Sequence, residues 1–477
     1  MSEPTYLFYD LETTGLSYAF DQVLQFAAIR TDASFHELER YNVYIQLRPD
    51  VIPSPQAMIS HCIGLEELQH GSCEYEAMKL IHKQMNRDNT ISVGYNSLGF
   101  DDEFLRFSFH RNLMPPYTHQ YANRCGRLDL LPILLIYWLY KPDVLNWPEI
   151  EEKVTFKLEH LKEANKLSEG SSHNAIIDVE ATVELARILT GERDIWDYLM
   201  DFFQKETDKQ RISKLPRFSQ QLDARYTWGV MVHLTFGVEC NFQAPVIYLG
   251  DSYTYKNQSL WLRLDKPDLI ETTDETFKNI PWVVRKKIGQ PGIVLPPLER
   301  YLMKLKSEFM QTFSENKIWL KKNPELLDRI ARYQRAFVYD DIPGVDADAV
   351  LYQMQFLSDY DERLAERYHK SSKSEKIHLC DKFRSPVAKE LAERILFRNY
   401  QVDFSDLFEE KFTDYLRRLN PESEEDALLD HRGKRKPIAK NVLREIQEIK
   451  QQKNLNSLQS KRLVELETYI KKTFSCT

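Results

Sequence analysis

Three stretches near the start of the chain, 5–9, 23–30 and 41–47, carry β-branched and aromatic residues at every second position. That is the period of strands with one buried face. Helical patterns follow at about 55–62 and 74–86, then a short apolar strand at 90–95. Helices recur near 101–112, 128–140, 158–165 and 173–190. Strands followed by interleaved helices predict an α/β domain on a mixed sheet, with Gly191 as a helix stop before residue 194. The texture then changes. Short strands at 230–236, 246–249 and 259–264, separated by turn signals such as Gly250-Asp251-Ser252 and Pro291-Gly292, predict a β-rich, partly barrel-like domain with helices attached. After Pro343-Gly344 the pattern is helical, near 359–369, 385–397, 406–418 and 439–474. The expected domains are therefore 1–194, 195–349 and 350–477.

Composition narrows the function classes. A length of 477 residues fits about three domains, and 42% hydrophobic residues with only 15 Gly and 21 Pro exclude disorder and collagen-like structure. Six cysteines without a CxxC pair read as reduced thiols of a cytoplasmic protein. The start Met-Ser-Glu-Pro-Thr-Tyr has neither the basic nor the apolar region of a signal peptide. The longest apolar run, 130–140, is too short for a bilayer, so no membrane association is expected. Charge is uneven: residues 1–200 balance to −13, 201–350 to +2 and 351–477 to +3, within a net −8. Either this is compositional drift, or an acidic metal site lies beside surfaces that handle a polyanion. The charge block 422–436, an acidic run followed by His431-Arg432-Gly433-Lys434-Arg435-Lys436, reads as a solvated connection, with a contact to nucleic acid as the alternative.

Three short motifs carry chemistry. In Tyr9-Asp10-Leu11-Glu12-Thr13-Thr14-Gly15 the acids stand two apart at a strand end, so both carboxylates leave one face. Such a pair repels unless a cation lies between them, and Mg²⁺ takes one or two carboxylates plus phosphate oxygens. In Gly94-Tyr95-Asn96-Ser97-Leu98-Gly99-Phe100-Asp101-Asp102 a strand ends and a helix begins, which puts Asp101 at a helix N-terminus. In His173-Asn174-Ala175-Ile176-Ile177-Asp178 an acid falls about one and a half turns into a buried helix, costly unless paired or metal-bound. Singly, each has a structural explanation: solvated acids, a helix cap, a surface histidine. Together, in this order on one α/β domain, they describe two divalent metals held by Asp10, Glu12, Asp101 and Asp178, with His173 as the general base toward a phosphodiester.

These five positions resemble the DEDDh branch of the proofreading-type 3′→5′ exonucleases. Further stretches are similar to the bacterial exodeoxyribonuclease I family: Gln25-Phe26-Ala27-Ala28-Ile29-Arg30, Phe100-Asp101-Asp102-Glu103, Asp129-Leu130-Leu131, Asn146-Trp147-Pro148, Leu158-Glu159-His160-Leu161, and Val345-Asp346-Ala347 near the last boundary. The resemblance implies a ribonuclease H-like mixed-sheet exonuclease domain, an SH3-like domain and an all-helical C-terminal domain. It implies a Mg²⁺-dependent 3′→5′ exonuclease on single-stranded DNA, with two Mg²⁺ ions for which Mn²⁺ substitutes, releasing 5′-mononucleotides in DNA repair and recombination. A monomer and a single-stranded DNA-binding protein as partner are implied too. One position departs from the family: Lys157 stands where the family has Arg, which keeps the charge and loses the bidentate geometry. Glu12 and Lys157, with Arg106 on phosphate and Tyr117 and Tyr121 stacking on bases, are the candidate substrate contacts. The rival readings are an RNA-trimming nuclease with the same five residues, a silent nucleic-acid-binding scaffold, and a purely structural α/β protein.

Overall fold

The computed structural model describes residues 3–168, 174–400, 406–452 and 454–474. The chain divides into two units: Met1–Arg127 with Glu169–Glu180 and Asp341–Thr477, and Leu128–Ser168 with Ala181–Asp340.

In the first unit, β1 (Thr5–Thr13), β2 (Val23–Thr31) and β3 (Glu37–Tyr44) form an antiparallel meander, with β4 (Thr90–Gly94) parallel to β1 on its free side. A fifth strand, β5 (Gly126–Asp129), which the sequence pattern did not reveal, completes the order β3-β2-β1-β4-β5. Every residue of β2 is buried, as a strand between two others with both faces covered must be. The third strand lies earlier than expected, since 37–44 pairs along β2 and Ile45 bridges to Ser72. Helices Glu74–Met85 and Asp101–Arg111 pack on this sheet. The C-terminal helices share the same core: Leu7, Phe26, Phe104 and Met78 lie in one apolar cluster with Leu364, Leu391, Ile446 and Leu466.

A chain of buried ions runs through that junction. Arg48 pairs with Asp50 at 3.0 Å and Glu74 at 2.8 Å, and Arg111 with Glu74 at 3.1 Å. From helix Pro386–Asn399, Arg398 reaches Asp50 at 2.8 Å and Asp348 at 2.5 Å, and Arg394 reaches Asp346 at 2.5 Å. Removing one partner from such a network would leave an uncompensated charge in the core.

The second unit contains a small hairpin, β6 (Glu149–Ile150) with β7 (Lys153–Val154), and a curled antiparallel sheet. The sheet consists of β8 (Trp228–Val232), β9 (Gln243–Asp251), β10 (Gln258–Arg263), β11 (Val283–Lys287) and β12 (Ile293–Leu295), in the order β11-β10-β9-β8-β12. The strand expected at 230–236 ends at Val232, because His233 accepts from the backbone N–H of Thr235 and turns the chain into a 3₁₀ turn. Helices Ser307–Lys322 and Pro324–Ala336 supply Phe313, Leu320, Leu327 and Ile330 to the core beneath this sheet. The architecture is thus a mixed-sheet α/β region, an SH3-like antiparallel sheet and a helical C-terminal region. No helix among the described residues is long and apolar enough to cross a membrane.

Candidate active site

β1 ends on the acids. Leu7, Tyr9 and Leu11 are buried in the core, and Asp10 and Glu12 alternate with them. The next residues form a turn held from within: Thr14 Oγ1 donates to Asp21 at 2.8 Å, and the backbone N–H of Ser17 donates to the same carboxylate at 2.8 Å. Gly15 lies against that carboxylate so closely that a Cβ there would stand 2.5 Å from an oxygen of Asp21.

β4 passes beside β1 and stops at Gly94, where a Cβ would meet the Ser97 side chain at 2.3 Å. Asn96 adopts the left-handed conformation, with φ of 57°, and the chain turns into helix Asp101–Arg111. The capping position falls to Phe100, leaving Asp101 as the first helical residue, buried in the first turn. Tyr18 braces this loop by donating its hydroxyl to the carbonyl of Gly99 at 2.7 Å.

The last acid is on helix Ala175–Leu189. The sequence placed Asp178 deeper in that helix. Because the helix begins at Ala175, Asp178 belongs to the first turn, where the helix dipole favours an anion. Val179, Ala181 and Leu185 bury the other face, and Glu180 pairs with Arg40 of β3 at 2.5 Å. His173 lies outside the described residues.

The four carboxylates act on one another. Burial pushes Asp10 well above the usual carboxylate range, and Asp101, Glu12 and Asp178 push it further. Glu12 rises to about 8, from burial first and then Asp178 and Asp101. Acids from three separate stretches therefore share one field. An all-carboxylate oxygen set of this kind fits a hard divalent cation. Among the described residues no three His, Cys, Asp or Glu side chains close around a common point, so the fit rests on this shared field.

The neighbouring Asp102 has the opposite surroundings. It is fully buried, and Arg106 and Arg127 each reach it at 2.6 Å, with His119 at 2.8 Å. Burial alone would raise its pKa, but Arg127, Arg106 and His119 outweigh that and hold it far below the carboxylate range. The anchoring role of Asp102 was missed from sequence; the signal was its spacing of four residues from Arg106, the reach of a helical ion pair.

The candidate substrate contacts are dispersed. Arg106 is 3% exposed, with its guanidinium held by Asp102 and by Glu103 at 2.5 Å. It lies 5.6 Å from the ring centroid of Tyr117, which is half-buried and packs edge-on to Phe356. Tyr121 is 64% exposed. Lys157 belongs to the second unit and is exposed, 3.7 Å from Glu159.

A β-meander with a parallel fourth strand, carrying acids at the end of its central strand and on two helices, defines a nuclease of the exonuclease superfamily. The family model described as Exonuclease (RNase_T) matches residues 7–186. The chain is 35% identical over 305 residues to the exodeoxyribonuclease I of Buchnera aphidicola subsp. Acyrthosiphon pisum, covering 62% of this chain and 68% of that protein. It is 29% identical over 419 residues to that of Buchnera aphidicola subsp. Schizaphis graminum, covering 84% of each. Among solved structures, Escherichia coli exonuclease I in complex with a dA16 oligonucleotide has a similar fold, with a TM-score of 0.84 and 24% identity over 99% of this chain and 100% of that one. The chain belongs to the exodeoxyribonuclease I family.

Proposed function

We propose that this protein is a Mg²⁺-dependent 3′→5′ exonuclease that degrades single-stranded DNA to 5′-mononucleotides. The observation that carries the reading is the convergence of Asp10, Glu12, Asp101 and Asp178, from three separate stretches, on one shared field. Bound there, divalent cations supply positive charge to a scissile phosphate and acidify a water. The four carboxylates hold the cations, and Glu12 also faces the strand end. His173 takes the proton of the attacking water as general base. Tyr18, by its bond to Gly99, and Asp21, by its bonds to Thr14 and Ser17, fix the two turns that flank the acids. Asp102, with Arg106 and Arg127, fixes the helix that starts at Asp101. Tyr117, Tyr121 and Lys157 are proposed as strand contacts, and Arg106 as one acting from behind Tyr117.

The polymer preference is supported by relatives: the Escherichia coli enzyme has been solved with a DNA oligonucleotide, in a zinc-bound form with single-stranded DNA, and as an SSB/exonuclease I complex. By the same support, a single-stranded DNA-binding protein is the proposed partner. Repair and recombination in the cytoplasm, by a monomeric enzyme with modules 1–194, 195–349 and 350–477, are proposed from the family resemblance of the sequence.

The test uses 5′-labelled single-stranded DNA, duplex DNA and RNA, with Mg²⁺ or EDTA, beside Asp178→Ala protein. The expected result is metal-dependent shortening of single-stranded DNA, reduced on the order of 10³-fold in the variant. Shortening of RNA alone would keep the site and overturn the substrate. Binding without shortening, unchanged by the substitution, would make the protein a scaffold.

A further inference from the structure

A site built from four acids repels the polyanion it is meant to cut, so cations not already spent within the protein must meet the strand. The sheet region provides few. Arg30, Arg48, Arg106 and Arg111 are all buried, and each is committed to partners inside the fold.

The charge block 422–436, expected to be a solvated connection, is instead built into the body that carries the acids. Leu429 and Arg435 pair across a tight turn. Asp430 accepts from the backbone N–H groups of Arg432 and Lys434 at 2.8 Å each, and Gly433 takes a φ of 73° that permits the reversal. Both sides of the turn are fastened. The His431 ring stacks on Tyr18 at 5.9 Å and lies 4.8 Å from Phe107 and 5.6 Å from Tyr352. On the other side, Lys436 is buried, within the field of Asp21 and Asp50. Tyr18 braces the turn that leads to Asp101, so the His431 contact fastens the basic turn beside that acid.

What the turn leaves outside is basic. Arg432, Lys434 and Arg435 are exposed, and among the described residues none of the three has a carboxylate partner. Arg432 lies over the Tyr18 ring at 5.1 Å and Arg435 donates to the carbonyl of Ala427 at 3.0 Å, contacts that orient both without neutralising them.

We propose that the turn 430–435 grips the phosphates of the single strand being degraded, through Arg432, Lys434 and Arg435. The proposal rests on the nuclease reading above and adds to it a phosphate contact from exposed cations without carboxylate partners. Rigid attachment matters here, because a grip on a tethered loop would not hold the strand in register with the acids.

The test is the salt dependence of binding for a labelled dT oligonucleotide, measured by fluorescence anisotropy in EDTA so that nothing is cut. Three single-strand phosphate contacts contribute a slope of about 2 in log K against log salt. Between about 50 and about 200 mM salt, wild-type affinity should therefore fall about 20-fold more than that of the triple variant R432Q/K434Q/R435Q. The charge-conserving R432K/R435K should restore the wild-type slope, which a merely structural role for these arginines would not do. If the triple variant melts early, R432Q/K434Q spares the Arg435 bond to Ala427, and its slope should drop by about 1.4. An unchanged slope in these variants, with wild type still shortening DNA, overturns the grip and leaves the nuclease reading standing. Wild-type protein that neither binds nor shortens DNA overturns both.

Discussion

Asp101 and Asp102 are neighbours in the chain and both are buried, yet they belong to opposite electrostatic regimes. Asp102 points into a nest of Arg106, Arg127 and His119 and is held ionised. Asp101 adds its charge to Asp10 and Glu12, whose pKa values rise from burial first and from their fellow acids next. The same division separates whole regions of the first unit. At the junction with the C-terminal helices, Asp50 and Asp348 are met by Arg398, and Asp50 falls to about 2 although burial pushes it the other way. The fold therefore meets Asp50, Asp102 and Asp348 with arginines and crowds its candidate catalytic acids against one another. Crowded acids of this kind are costly to the fold and useful to a site that must attract cations.

That contrast can be broken by experiment. Asp102→Asn should cost about 3–5 kcal/mol of stability, read by urea unfolding, because Arg106 and Arg127 would keep their charge in the core; a loss near zero would mean the nest is dispensable. Lys436 tests a cation in the same terms. Burial pushes its ammonium down to about 8, against the pull of Asp21 and Asp50. Below pH 8 the folded protein holds this charge at a cost, whereas between about pH 8 and 10.4 the unfolded chain binds the extra proton. Wild-type stability relative to Lys436→Met should thus rise across that window, by up to about 3 kcal/mol. A gap that stays flat with pH would show that Lys436 is solvated. The smallest effect has the opposite sign. Asp10→Asn should stabilise the protein by about 1 kcal/mol in EDTA at neutral pH, since the amide is neutral without the cost of protonating a buried acid above its ordinary pKa. Adding Mg²⁺ should raise the melting temperature of wild type more than that of the variant, as binding to the folded state alone requires.

Much of this could be read from the chain. Alternating β-branched and aromatic residues located β1 and β2, and a short apolar run located β4, because residue type along a strand is a local property. β5, β11 and β12 are short and left no period to count. The helical stretch expected over 439–474 is two helices, Ala439–Gln452 and Ser457–Thr473, and Asn456 caps the second by accepting from the backbone N–H of Gln459. Asn456 followed three residues later by Gln459 was a capping signature open to reading. The charge block misled for a different reason. A run of charges looks solvated unless the partners of particular members are known, and Tyr18, Phe107 and Asp21 are more than three hundred residues away in the chain.

The sequence by itself determined the order and chemistry of the acids, Asp10 and Glu12 on a strand, then Asp101, then Asp178 on helices, because residue type and local period are properties of neighbouring residues. It equally determined the succession of mixed sheet, β-rich region and helices. Only the tertiary structure decided that Asp102 is met by two arginines, that Arg106 is buried behind Tyr117, and that the turn at 430–435 is fastened against Tyr18. Each of those outcomes depends on which distant side chains share a desolvated space. There a single cation at hydrogen-bond distance outweighs any local preference, and no local pattern in the chain records its arrival.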